Sequence, residues 1–427
     1  MTQRRLGEFD DGLDAEVDEK FDPLSATFRG GKQEPFHTWY SYLEGYSPEF
    51  VETILHDYLS DADSIFDPFG GTVTTGFTAA EKGLDAYYCE VNPVLQFVAE
   101  TKAKVRSLPD KDRKEIADDL RKLSTSFENR IDEAKKDDSL LTAYDFVFEG
   151  SEFFDDSTLE EVVSAKTVVL ELEKDNRLLS SLLSVAILSS LVPCSRLKRA
   201  GDVRFMDDDK LAEGTPSLRE EVTENLREMA DDLAHKNAHI EKKPVLLCEN
   251  AQNINKIPQK NIEGVITSPP YINGTNYFRN TKLELWFLGC LQKPDDLTAY
   301  RNRALTAGIN TVSGEYEVPE VELVQQVVND LEEHGYDRRL PLMVSGYCWE
   351  LQKIFEKIES QLKEGALVAI DIGDSIYAGV HVPADKMIVQ LLEQLNYDLI
   401  DTVKLRDRHS NNGEELKQVL LVFEYEG

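Results

Sequence analysis

Ser64-Ile65-Phe66-Asp67-Pro68-Phe69-Gly70-Gly71-Thr72-Val73-Thr74 is the stretch whose reading decides the fold. A short apolar run ends on an aspartate, and a Pro-Phe-Gly-Gly turn follows. Two glycines let backbone approach a ligand where a Cβ would obstruct it. The next residues, Thr75 to Lys82, have helical composition and stop at Gly83, and Ala86-Tyr87-Tyr88-Cys89 then reads as a second strand ending at Glu90. Strand, glycine turn, helix and strand open a doubly wound α/β sheet. An acid about twenty residues past the glycines can accept from both hydroxyls of a ribose. The turn lacks the lysine of a phosphate-binding loop, so it suits a ligand without phosphates to cradle.

Working outward, Asn92 to Val105 reads as the next helix, and strand character returns at Val245 to Cys248, Gly264 to Thr267 and Ala366 to Ile372. Asp398 to Leu405 and Gln418 to Tyr425 flank a polar turn containing Asn411-Asn412-Gly413, which predicts a closing antiparallel hairpin. Between the two groups of strands, residues 106–243 read as charged amphipathic helices without convincing strands. Upstream, Pro35 to Leu59 reads as helical, restarting at Ser47-Pro48, where serine suits an N-cap and proline the first helical position. Residues 1–30 read as a flexible acidic leader. The expected organisation is therefore a catalytic domain over 31–105 and 244–427, interrupted by a helical insertion over 106–243.

The 427 residues are 41% hydrophobic and 30% charged, as in a globular protein. No apolar run reaches the ~20 residues of a membrane span; the longest, Leu178 to Val192, is broken by five serines. The start has no apolar segment of a secretory signal. Five cysteines lie mostly inside apolar runs, without close pairing or zinc-ligand spacing, and read as reduced thiols of a cytoplasmic protein. No metal site is expected.

A second motif, Thr267-Ser268-Pro269-Pro270-Tyr271, closes the run Gly264-Val265-Ile266. Proline has no N–H and a fixed φ, so Pro269 and Pro270 stiffen a turn that presents carbonyl oxygens. Together the two motifs resemble the amino-methyltransferases of DNA, over about 35–100 and 245–427. The resemblance implies a doubly wound, mostly parallel seven-stranded methyltransferase (Rossmann-like) sheet and S-adenosylmethionine as cofactor. It places Asp67, Phe69, Gly70, Gly71 and Thr72 around the methionine and ribose, and Glu90 on the ribose. Glu249 falls near the adenine amino group, although a solvated strand end suits it equally. The segment Phe36-His37-Thr38-Trp39-Tyr40 looks like the family's helical motif over the cofactor, with Trp39 either there or packing helix on sheet. Ser268, Pro269, Pro270 and Tyr271 become the catalytic turn: Ser268 and the Pro269 carbonyl hold the target amine, and Tyr271 stacks on a flipped base. Serine at the head of this motif looks like the N4-cytosine subgroup, since N6-adenine enzymes usually carry aspartate or asparagine there. The adenine assignment and a partner-dependent subunit that binds cofactor and DNA are the rival readings. The related protein-glutamine enzymes carry Asn-Pro-Pro-Tyr, from which the leading serine departs.

The net charge of −33, from 47 basic and 80 acidic residues, opposes binding to a polyanion. An acid-rich proteome or a basic partner subunit would account for it, as would salt-sensitive binding. Local basic islands are correspondingly informative. Arg196, Lys198, Arg199 and Arg204 form the densest, resembling a segment in a subset of Ser-Pro-Pro-Tyr enzymes. Tyr277 and Arg279, just past the catalytic turn, form a second. These are the expected contacts to double-stranded DNA, with surface pairing to Asp202 and Asp207 to Asp209 as the alternative for the first island. The order of motifs resembles enzymes whose target-recognition region lies between them, and such enzymes work with a cognate restriction endonuclease or another defence subunit.

Overall fold

Apolar residues alternate along the predicted strands, and the alternation sorts them to two faces. In a computed structural model describing residues 21–200, 202–235, 238–272, 277–312, 314, 316–409 and 413–427, Phe66, Val265, Ile370 and Phe423 enter one hydrophobic cluster. Their strand neighbours Ile65, Ile266, Ala369 and Val422 enter another, across the sheet. A sheet buried on both faces is the doubly wound arrangement.

Seven strands make this sheet: β1 (Ser64–Asp67), β2 (Asp85–Cys89), β3 (Val245–Cys248), β4 (Ile262–Thr267), β5 (Leu362–Gly373), β6 (Tyr397–His409) and β7 (Glu415–Tyr425). Their order is β3-β2-β1-β4-β5-β7-β6. Only β7 runs against the rest, because it is antiparallel to both β5 and β6 while the other pairings are parallel. The expected closing hairpin is present; its Asn411 and Asn412 lie outside the described residues. The chain leaves β1 toward β2 on one side, and β4 leads to β5 on the other. A crevice therefore opens between the ends of β1 and β4.

Helix α1 (Pro48–Asp57) starts where the sequence indicates, with the Ser47 side chain accepting from the Phe50 N–H. Residues 35–47, expected to be helical, form turns instead, and Phe36 has φ +66°. Aromatic density there reflects packing: Phe36, Trp39 and Tyr40 are buried. Helix α2 (Thr74–Glu81) ends before Gly83 at φ +83°, and α3 (Pro93–Arg106) is capped by Asn92. The expected flexible leader, 1–30, takes in residues that are packed. Its residues 1–20 lie outside the described ones, whereas Phe21, Ala26 and Phe28 are buried.

The insertion contains α4 (Asp110–Glu133), α5 (Asp138–Phe148), α6 (Asp156–Asp175), α7 (Arg177–Leu191), short α8 (Asp208–Ala212) and α9 (Leu218–Ala234). It also contains strands that the sequence reading lacked: Leu197–Ala200 pairs antiparallel with Asp202–Phe205. Buried Leu197 and Val203 alternate with charged neighbours over only four residues each, too short a pattern to stand out from the basic island. The insertion shares one hydrophobic core with Phe36, Trp39 and Phe278 to Leu291, so its helices are built onto the sheet domain.

Candidate active site

Both motifs end at the same edge of the sheet. Asp67, the last residue of β1, is 2% exposed, and the Thr267 hydroxyl, ending β4, donates to its Oδ1 at 2.7 Å. The Phe69 N–H donates to the same oxygen at 3.0 Å and the Tyr46 hydroxyl to Oδ2 at 3.3 Å. Burial pushes the Asp67 carboxyl up to about 6 despite these hydrogen bonds.

The glycine turn is clamped to the end of β2. Gly70 N–H donates to the Cys89 carbonyl at 2.9 Å, and Gly71 N–H to Glu90 Oε2 at 2.7 Å. Glu90 Oε1 accepts from Asn92 N–H at 2.7 Å. Gly71 sits at φ +54°, and a Cβ there would lie 3.0 Å from the Tyr42 ring; one on Gly70 would lie 3.1 Å from Tyr88. A side chain at Gly71 would press on Tyr42, which lines the cavity, and one at Gly70 would push the turn off the end of β2. Glu90 is 8% exposed, and burial pushes its carboxyl up to about 7.

A cavity of about 360 Å³ lies over this edge, within the range of small-molecule sites. Asp67, Phe69, Gly70, Gly71, Thr72, Glu90 and Glu249 line it on the β1–β3 side; Ser268, Pro269, Pro270 and Tyr271 line it beyond β4, with Tyr277. Two motifs separated by the whole insertion thus face one chamber. Glu249 also carries an ion pair, to Arg303 at 2.6 Å.

Several cavity residues carry no sequence signal of the kind the motifs give. Asp371, near the end of β5, accepts from the Tyr271 hydroxyl at 2.9 Å and from Gln418 Nε2 at 2.7 Å. Burial pushes its carboxyl up to about 6, against the Gln418 and Tyr271 hydrogen bonds, the Arg406 charge and the Ser268 hydroxyl. Gln418 in turn accepts from Arg406 Nε at 2.6 Å. The Arg408 guanidinium lies 5.4 Å from the centre of the Tyr271 ring, over Gly373, where a Cβ would come within 2.3 Å of an Arg408 nitrogen. An acid at a strand's carboxyl end was the available clue to Asp371. Arg406 and Arg408 needed the pairing of β6 with β7 to bring them here. Tyr42 and Glu44 also line the cavity, from the turns before α1.

The structure decides between the two readings of Trp39 and displaces one member of the first basic island. Trp39 is 2% exposed and donates from Nε1 to Asp232 of α9 at 2.8 Å, so it ties the insertion to the sheet domain and does not line the cavity. Arg199 is no surface cation. It pairs at 2.8 Å with Glu284, which is fully buried, donates to the Ser41 carbonyl and lies over the Tyr40 ring. The other members of the island differ: Arg196 pairs with the exposed Glu152 at 2.7 Å, Lys198 is as little exposed as Arg199 but pairs with a largely exposed Asp207, and Arg204 is exposed. Arg279 lies 3.7 Å from Asp202. Asn276 and Gly201, adjoining the two islands, lie outside the described residues.

The cavity fits a small cationic ligand. Asp67 and Glu90 are buried carboxylates whose ionisation costs desolvation, and a positive charge beside them would offset that cost. Among the described residues, no three His, Cys, Asp or Glu side chains are grouped to hold a metal, and no helix is long and apolar enough to cross a membrane.

The chain is similar to the Type II methyltransferase M.BsoBI of Geobacillus stearothermophilus, with 26% identity over 444 aligned positions, covering 94% of this chain and 86% of that protein. It is also similar to the Type II methyltransferase M.AvaI of Nostoc sp., with 22% identity over 428 positions, covering 91% and 85%. No family model matches the chain, and no solved structure matches it.

Proposed function

We propose that this chain is an S-adenosylmethionine-dependent DNA methyltransferase, as its similarity to two Type II methyltransferases supports, and that it methylates the N4 amino group of a cytosine flipped out of double-stranded DNA. The single observation that carries the proposal is the shared cavity, which joins the glycine turn and Glu90 to the Ser268-Pro269-Pro270-Tyr271 turn. Its similarity to Type II methyltransferases over nearly its whole length supports a place as the modification half of a restriction–modification pair, beside a cognate endonuclease.

Bound S-adenosylmethionine supplies an electrophilic methyl group on a positively charged sulfur. Glu90 would hold the ribose hydroxyls, with Gly70, Gly71, Thr72, Phe69 and Asp67 around the ribose and methionine parts and Glu249 toward the adenine. The cytosine amine is a poor nucleophile, because its lone pair is delocalised into the ring. Ser268 and the Pro269 carbonyl would accept its hydrogens and draw the nitrogen toward a tetrahedral shape. Tyr271 offers a ring for base stacking, worth ~1–3 kcal/mol per base, against the few kcal/mol of extrusion. Its hydroxyl is anchored on Asp371, so the ring is held before DNA arrives. The rest is positioning.

The insertion would choose the DNA sequence, with Arg196, Lys198 and Arg204 on its hairpin supplying phosphate contacts, and Tyr277 and Arg279 contributing nearer the catalytic turn. The test is incubation of purified protein with unmethylated DNA and labelled cofactor, followed by mass spectrometry of the nucleosides. N4-methylcytosine is expected. N6-methyladenine alone would overturn the cytosine assignment, and absence of label in DNA would overturn the activity.

A further inference from the structure

Cys89 and Cys248 are 159 residues apart in sequence, yet their sulfurs lie 2.9 Å apart. They occupy the ends of the parallel neighbours β2 and β3, and a local irregularity in the pairing makes them partners. Tyr88 pairs with Leu246 but Cys89 pairs with Cys248, so Leu247 is an extra residue on β3. Such a bulge re-aims a side chain at a strand end; here it brings the two thiols together. Neighbouring strands run ≈ 4.7–4.9 Å apart, inside the 4.4–6.8 Å range of Cα separations that a disulfide spans. Cys89 is fully buried against solvent but lines the cavity, and Cys248 is partly exposed.

We infer that Cys89 and Cys248 form an oxidisable dithiol whose disulfide loosens the grip of the cavity on its cofactor. The oxidant is a small disulfide such as oxidised glutathione. Cys248, the exposed partner, attacks it as thiolate, forming a mixed disulfide and releasing one small thiol. Cys89 then gives up its proton and attacks the Cys248 sulfur, releasing the second. Two protein thiols are oxidised to one disulfide, one small disulfide is reduced to two thiols, and the protons leave with them. The hydrogen bond from Cys89 holds the Cys248 thiol below its ordinary range, while the same contact and burial hold Cys89 above it. That asymmetry suits Cys248 as the attacking group.

The link to ligand binding is geometric. The Cys89 carbonyl holds Gly70, and the next residue, Glu90, holds Gly71; Cys248 is followed by Glu249, which lines the same side of the cavity. Closing the sulfurs from 2.9 Å to a ≈ 2.05 Å bond shifts the strand ends that carry these contacts. Cofactor affinity of the oxidised protein should be about tenfold lower, and bound cofactor should by reciprocity slow oxidation. This second half rests on the cofactor reading above.

The full chain is treated with oxidised glutathione, with and without S-adenosylmethionine, then alkylated and digested for mass spectrometry. A Cys89–Cys248 peptide, slowed by cofactor, is expected, together with a calorimetric loss of cofactor affinity that dithiothreitol restores. Cys248→Ser should bind cofactor normally and be insensitive to the oxidant; Cys248→Ala serves if serine is not tolerated. A glutathione adduct stable on Cys248, or no cross-linked peptide, would overturn the dithiol. A cross-link with unchanged affinity would overturn its effect on the cavity. Failure of the reduced protein to bind S-adenosylmethionine would overturn that effect together with the cofactor reading, while the cross-link is read independently by mass.

Discussion

Replacing Arg199 with alanine separates a buried ion pair from a DNA contact within one basic island. The Arg199 side chain is 19% exposed and its partner Glu284 is 0% exposed. Removing the guanidinium leaves Glu284 with the Tyr40 hydroxyl at 3.1 Å and without its ion pair, and strips the Ser41 carbonyl of its donor. Breaking one side of a buried pair typically costs ~3–5 kcal/mol. Partial exposure of Arg199 argues for the lower end, so a loss of about 3 kcal/mol is expected in urea unfolding. Arg196→Ala removes only a pair whose acid, Glu152, is 78% exposed, and its loss should stay within ~0–1 kcal/mol. DNA binding should show the reverse order. Replacing Arg196, Lys198 and Arg204 together should flatten the log–log salt dependence by about 0.9 per lost phosphate contact, up to roughly 2–3 in all. A double variant, Arg199→Met with Glu284→Leu, should recover much of the stability, since an apolar replacement removes both charges. A loss below about 1 kcal/mol for Arg199→Ala, with a flattened salt slope, would refute the buried-pair reasoning and return Arg199 to the DNA surface.

Ser268→Ala removes the acceptor proposed for the target amine and leaves the glycine turn intact, so turnover should fall roughly tenfold or more with cofactor affinity little changed; calorimetry and single-turnover rates distinguish the two. Glu90 has a folded-state value of about 7 against an ordinary 4.5. Between those values the unfolded chain has released the proton that the native chain keeps, so this group makes stability fall as pH rises through that window. Glu90→Gln should flatten that part of the urea-unfolding profile by up to one proton, weaken cofactor binding, and abolish a gain in cofactor affinity through about pH 7. An unchanged slope would contradict the burial of this carboxyl. Gly71→Ala forces an L side chain to φ +54° against Tyr42, costing roughly 1–2 kcal/mol of stability by thermal unfolding and weakening cofactor binding.

The residues that name the chemistry announce themselves locally. The Asp67 to Thr72 turn, Glu90 and the Ser268 to Tyr271 turn each follow an apolar strand and contain residue types that few other roles require, so the strands that carry them were legible from periodicity and turn chemistry. What the chain could not reveal locally is which distant side chains those turns meet. Trp39 and Arg199 read as ligands because aromatic and cationic side chains suit ligands. Their fates were set by Asp232 and Glu284, 193 and 85 residues away. Arg406, Arg408 and Gln418 reached the cavity because β7 inserts antiparallel between β5 and β6. Cys89 and Cys248 met because one extra residue bulges β3. Sequence by itself determined the strands of the central sheet and the residue types in the turns at their ends, since backbone conformation and side-chain type are local properties. The tertiary structure decided which polar groups are buried together, because that depends on contacts between elements that carry no trace of one another in their own residues.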